Sequence, residues 1–294
     1  MEYWLPLFFV AVIGFALLIY IILDGYDLGV GILLGLADEE EKDQMIASIG
    51  PFWDANETWI VLGVGVLMIG FPAAYGLVLT TLYLPATLML MGLVLRGVSF
   101  DFRAKAKTQS RRMWNRLFTV GSLLAATCQG WMLGAYVMGL APGVLSIAFS
   151  LGIALTLPAL YVMLGCGWLI MKTSDSLYNK AIGWARWTVL PMGVGIFLIS
   201  IATPLISTTI ADKWFTLPAA IGLLPIPITT MIAYAVIVWV LWHERILEAG
   251  FGWLIFVSLI IICLMSALGL AYSIYPDIVI NKMTIWDTGL PRVY

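Results

Sequence analysis

Long apolar runs, each closed by charges, prolines or glycines, dominate the chain. Eight of them are long enough for a helix to cross a ~30 Å hydrocarbon core, which takes about 20 residues. Their approximate limits are 5–35, 46–70, 74–98, 115–140, 145–171, 183–205, 217–242 and 250–273. Helices are expected throughout, because the runs far exceed the ~10 residues of a barrel strand and do not alternate with period two. The pattern predicts an all-α membrane protein with eight transmembrane helices.

Lys and Arg placement predicts the orientation. The connection after the third run carries Arg103, Lys105, Lys107, Arg111, Arg112 and Arg116, with Arg96 just inside it, and the one after the fifth carries Lys172, Lys180 and Arg186. Both are expected on the cytoplasmic side, together with the connections holding Lys42 and Arg245. The turns near Pro72 and Pro142 have no basic residue, and 206–216 has only Lys213. The N-terminus is therefore expected outside, as is the tail from Pro276 to Tyr294. Trp4, Trp214 and Trp286, near run ends, suit an interfacial belt.

Composition excludes a soluble domain. Of the 294 residues, 62% are hydrophobic and 11% charged, and the mean hydropathy is +1.00. Fifteen basic and 17 acidic residues cannot cover a core of this size, so lipid must. The net charge of −2 says little about partners, because in a membrane protein the placement of charge matters more than its sum; no nucleic-acid partner is expected. Cys128, Cys166 and Cys263 are widely separated in apolar runs and read as small buried residues. Met1-Glu2-Tyr3-Trp4 lacks a basic n-region, so the first helix is expected to be uncleaved.

Two segments interrupt the apolar pattern in the same way: Leu23-Asp24-Gly25-Tyr26-Asp27-Leu28-Gly29-Val30-Gly31 and Gly50-Pro51-Phe52-Trp53-Asp54-Ala55-Asn56-Glu57-Thr58-Trp59. Asp24 and Asp27 are three apart and share a helix face, as do Asp54 and Glu57. The first two helices are antiparallel, so all four carboxyls are expected in the cytoplasmic half of the bilayer, close enough to cluster. A membrane carboxylate costs about 2.5–3.5 kcal/mol on insertion scales unless paired, hydrogen-bonded or protonated. Two readings satisfy that demand. The acids form a proton path, or Arg96, Asn56, the tyrosines and helix N-termini fix them as an interhelical lock. Asp54, after Pro51, also suits a helix N-terminus stabilised by the dipole.

Gly25, Gly29 and Gly31 admit close approach of a second helix. Arg96 lies deepest in Arg96-Gly97-Val98-Ser99-Phe100-Asp101-Phe102-Arg103, where it can snorkel or reach the acids as counter-ion. For Arg103 and the bases after it, a topology signal with contact to anionic lipid is expected. The single histidine, His243, cannot supply a bis-His haem site and reads as a helix C-terminal imidazole. The 14 methionines read as packing, and no Gly-rich nucleotide loop or catalytic triad stands out. The chain alone is not expected to be catalytic or to bind a cofactor or metal.

These two segments, the Arg96–Arg103 segment and the late Thr284-Ile285-Trp286-Asp287 follow one another as four separated motifs. In them the chain resembles the subunit II family of cytochrome bd-type oxidases, including its cyanide-insensitive branch. The resemblance covers essentially the whole chain. It implies two four-helix bundles, placed here at 1–140, with the carboxylates, and 141–275, followed by the outer-face tail 276–294. It also implies a larger subunit I carrying b- and d-type haems and the quinol site, a bacterial or archaeal cytoplasmic membrane, and a complex that reduces oxygen to water. Small single-helix subunits and a structural quinone or lipid are further implied companions. Asp27 and Asp54 match acids implied to serve a cytoplasmic proton path, with Asp24 and Glu57 assisting. Trp53, Asn56, Trp59, Arg96, Asp101 and Arg103 are supporting motif residues. Two departures stand out: Ala55 replaces the family's usual Gly, and the sequence stops at Tyr294 where the family continues into a ninth helix, which is expected to be missing. Without the resemblance, intramembrane acids equally suit a proton-coupled secondary transporter, and a purely structural assembly factor is the third reading. Pro204, Pro218, Pro225 and Pro227 lie near outer helix ends rather than at the midplane, which weakens the transporter reading.

Overall fold

A computed structural model describes residues 4–206, 208–217 and 219–287. Helix α1 (Trp4–Leu33) ends in a 3-10 turn (Leu34–Leu36), followed by α2 (Glu39–Ile49), α3 (Trp53–Gly70), α4 (Pro72–Thr81), α5 (Tyr83–Lys105) and α6 (Thr108–Val137). The second half contains α7 (Val144–Lys172), α8 (Asp175–Ile206), α9 (Thr208–Phe215), α10 (Ala219–Leu223), α11 (Pro225–Trp242), α12 (Glu244–Glu248) and α13 (Trp253–Ile274). A hairpin, β1 (Asp277–Val279) with β2 (Met283–Thr284), closes the described chain. Among the described residues seven helices are long and apolar enough to span a membrane: α1, α5, α6, α7, α8, α11 with the end of α10, and α13. Counting α2 and α3 as one bent span gives eight. The molecule is an all-α membrane protein, with one short hairpin among the described residues.

Two of the expected runs are broken. The second is bent by 52° between α2 and α3, where Pro51 supplies no backbone N–H to carry the ladder onward. The third breaks at Leu82, because Pro85 cannot donate to the Thr81 carbonyl. Helix α5 then runs on to Lys105, so the segment from Arg96 to Arg103 is helical rather than a connection.

Helices α1 and α7 form the centre. Helix α1 packs against α3, α6, α7 and α13, and α7 against α1, α6, α8 and α13. A Cβ added to Gly165 would lie 2.7 Å from the Gly29 carbonyl carbon, and one added to Gly29 would overlap the Tyr161 carbonyl. The two backbones touch, as small-residue packing between membrane helices allows. A second close crossing joins α5 and α6 at Gly92 and Gly121. Outward faces carry residues such as Val61, Val94, Trp187, Phe197 and Met231, which suit a lipid surround.

The tail is better packed than the sequence suggested. Ile278, Val279 and Ile285 are buried with Phe71, Ala74 and Leu140 in a second apolar cluster at the end of the molecule that holds α4. Tyr136 donates its hydroxyl to the Ile278 carbonyl at 2.6 Å, and the Lys282 ammonium donates to the Leu140 carbonyl at 2.9 Å. Thr284 and Asp287 close the turn, the threonine hydroxyl donating to the carboxylate at 2.7 Å. The last seven positions of the expected tail, 288–294, lie outside the described residues.

Candidate functional site: a buried carboxylate and arginine cluster

The first interrupting segment stays helical, because the glycines beside Asp24 and Asp27 let α7 press against it and shield it from lipid. Asp24 and Asp27 are both 0% exposed. From α5, Arg96 reaches in at 1% exposure and places one terminal nitrogen 2.7 Å from Asp24 and 3.0 Å from Glu57, whose side chain is 26% exposed. The guanidinium carbon also lies 5.8 Å from the centroid of the Trp53 ring, within cation–π range. Asn56 holds the other carboxylate: its amide nitrogen donates to Asp27 and to the Tyr26 hydroxyl, both at 2.8 Å. Tyr26 in turn stacks on Trp168 at 4.3 Å.

One guanidinium therefore pairs with two carboxylates, and Asp27, close enough for its charge to act on Arg96, is the third carboxyl of the cluster. Asp24 Oδ2, Asp27 Oδ1, Arg96 Nε and Arg96 Nη1 have no hydrogen-bond partner in the protein. Buried polar atoms in that position are ordinarily satisfied by ordered water.

The expected four-acid cluster contains only three. Asp54 sits in the first turn of α3, the helix-start position its dipole reading described, but it is exposed and outside the cluster. The inward stripe of α3 is Trp53, Asn56 and Gly63. At about 100° per residue Glu57 lies ~40° from Trp53, at the stripe's edge, whereas Asp54 is ~100° away and turned outward. Trp59 is half-buried with its ring edge on Phe15 at 5.9 Å, and Asp101 is exposed.

Arg103 also departs from the expectation. It is buried, donating from Nε to Asn115 at 2.6 Å and pairing with Asp43 at 2.6 Å. Seven residues, two turns, separate it from Arg96, so α5 places Arg96, Ser99 and Arg103 on one buried face. That spacing was a readable signal, and it rules out the lipid-contact role for this side chain. At the polar rim Lys180 bonds Asp38 at 2.6 Å and Glu41 at 2.8 Å, tying α2 to α8. The Lys180 hydrogen bond holds the Glu41 carboxyl below its ordinary range.

A second set of polar residues was missed in the sequence. Tyr20, Gln129 and Tyr161 are buried and hydrogen-bonded in a row beside Asp24. A lone glutamine inside an apolar run was the available signal. His243 caps the C-terminal end of α11 as expected, with Nδ1 2.7 Å from the Trp239 carbonyl. It is exposed, and as the single histidine of the sequence it cannot supply a bis-His haem site. Among the described residues no group of three or more His, Cys, Asp or Glu is arranged to hold a metal.

The profile of a family described as cytochrome bd terminal oxidase subunit II matches residues 5–291. The chain belongs to that family. A relative named cytochrome bd ubiquinol oxidase subunit 2, from Bacillus subtilis, is 36% identical over 126 residues, which are 42% of this chain and 36% of the relative. Cytochrome bd-I ubiquinol oxidase subunit 2 of Escherichia coli is 36% identical over 140 residues, 46% of this chain and 35% of the relative. The chain thus spans about a third of the length of the curated relatives it matches. The solved structure of bd oxidase from Geobacillus thermodenitrificans shares the fold, with a TM-score of 0.78 at 18% identity over 98% of this chain and 90% of that one. For a member of the subunit II family, the buried cluster is the feature of the fold most in need of a functional reason.

Proposed function

We propose that this chain is the haem-free second subunit of a bacterial cytochrome bd-type quinol:oxygen oxidoreductase, paired with a larger haem-bearing subunit in the cytoplasmic membrane. The observation that carries the reading is the family match across residues 5–291. Its N-terminus lies outside, and residues 1–140 and 141–275 form two four-helix bundles joined where α1 crosses α7. Exposed apolar helix faces leave room for single-helix subunits and for a structural lipid or quinone.

The chain's own part is to take up protons from the cytoplasmic side. Asp54, exposed on the first turn of α3, stands at the mouth, and Glu57, partly exposed, marks the boundary. Arg96 links Glu57 to Asp24 inside, and Asn56 orients Asp27 next to them. With three carboxyls to one guanidinium, neutrality inside requires bound protons, and a group that binds protons there can pass them on. The haems of the partner supply the oxygen chemistry when bound. The same arrangement serves assembly, since the cluster ties α1, α3 and α5 together.

The test is purification through a tag on this chain, co-expressed with the larger subunit, followed by a reduced-minus-oxidised spectrum and quinol-driven oxygen uptake. Co-eluting haem with oxygen uptake is expected. A stable, haem-free eluate without a partner would contradict the reading and reopen that of a proton-coupled transporter.

A further inference from the structure

Beside the carboxylate cluster, three buried side chains from three helices form a directed row. Tyr161 of α7 donates its hydroxyl to Gln129 Oε1 at 2.6 Å, and Gln129 of α6 donates from Nε2 to the Tyr20 oxygen at 2.7 Å. Tyr161 can reach the row because its ring lies against Gly25, 2.9 Å from where a Cβ would stand.

A phenol has one proton to give. The Tyr20 oxygen already accepts from the amide, so its own proton must point elsewhere. The charged groups facing it are Asp24 and Arg96, and the other titratable neighbour is Tyr161. Arginine only donates, and the Tyr161 oxygen, although it can still accept, is a weaker acceptor than a carboxylate. Cys263, beside Tyr161, is a weak partner at most. Asp24 is the partner left: it lies one helical turn from Tyr20 on α1, within side-chain hydrogen-bonding reach of it, and its Oδ2 has no other donor.

We infer that Gln129, held between Tyr161 and Tyr20, is a positioning residue that aims the Tyr20 hydroxyl at the Asp24 carboxyl. No proton changes owner in this device. The amide fixes direction, because it donates only through nitrogen and accepts only through oxygen, and Tyr20 keeps its O–H. Gln129 touches neither Asp24 nor Arg96 through any hydrogen bond of its own and acts through Tyr20. What the device contributes to oxygen reduction rests on the proton route proposed above.

The experiment is infrared difference spectroscopy on the purified oxidase complex, with haem content checked for every variant. Bands lost in Asp24→Asn identify the Asp24 carboxyl. Tyr20→Phe and Gln129→Met are each expected to shift those bands. The double variant should shift them no further than Tyr20→Phe alone, because the amide acts only through the hydroxyl. Tyr161→Phe, which removes one anchor of the amide, should give a smaller shift. Unmoved bands in Tyr20→Phe would mean that the amide sits reversed, with Tyr20 donating to Gln129, and would overturn the inference. So would shifts that add in the double variant. If Asp24→Asn leaves oxygen uptake unchanged while Tyr20→Phe moves the Asp24 bands, the proton route fails and the positioning stands.

Discussion

Replacing Arg96 by methionine removes the one guanidinium of the cluster while keeping an unbranched side chain of similar reach. Asp24, 0% exposed, loses a partner at 2.7 Å. Breaking a buried pair from one side costs on the order of 3–5 kcal/mol, because the remaining charge stays buried. Glu57 loses its 3.0 Å partner too, but with a quarter of its side chain exposed it can turn to water and adds little. Adding Asp24→Asn to Arg96→Met removes the stranded charge and should restore most of the loss. About 1 kcal/mol should remain for the lost contact with Trp53. Thermal denaturation of the purified protein in detergent at a fixed scan rate reads this out, with an expected drop in apparent Tm on the order of 10 °C for Arg96→Met. A midpoint within about 2 °C of the native protein, or a double variant as unstable as the single, would mean that Arg96 does not hold a buried Asp24 charge in place.

Other expectations follow from the same contacts. Gly29→Val would drive a Cβ into the Tyr161 carbonyl and force α1 from α7, costing more than the about 1–3 kcal/mol of ordinary overpacking, whereas Gly65→Val, with nothing within 4 Å, should be silent; yield of folded protein separates them. The Glu41 carboxyl is held below its ordinary range by Lys180, so the tie between α2 and α8 is complete above that range and is lost as pH falls through the depressed value. Hydrogen exchange of α2 should therefore rise in acid, and Lys180→Met should raise it already at neutral pH. Asp54→Asn should slow oxygen uptake with haem content intact, yet by less than Asp24→Asn, since Asp54 is exposed and water can take its place.

The periodic and compositional signals carried most of the architecture, because a lipid surround admits few alternatives to apolar helices of about 20 residues. The breaks at Pro51 and Leu82 were visible as prolines but not as boundaries, since hydropathy averages across them. Within the site, Arg96 as counter-ion to the acids was legible from its depth in an apolar run. The outward turn of Asp54 was not, because three-residue spacing leaves ~60° of rotation that only the helix start at Trp53 decides. The row of Tyr20, Gln129 and Tyr161 lay hidden because its members are 109 and 32 residues apart and each alone passes for packing. The tail hairpin escaped for a similar reason: Ile278, Val279 and Ile285 are too few for a run, and their burial depends on Phe71 and Leu140 far away.

The most direct measurement is quinol-driven oxygen uptake by the purified complex carrying Asp24→Asn, with haem content and subunit ratio confirmed unchanged. Turnover is expected to fall at least about tenfold, in line with the loss of a group that handles protons in a rate-determining step. Full turnover in an intact complex would contradict the proton route and leave the buried acids as an interhelical lock.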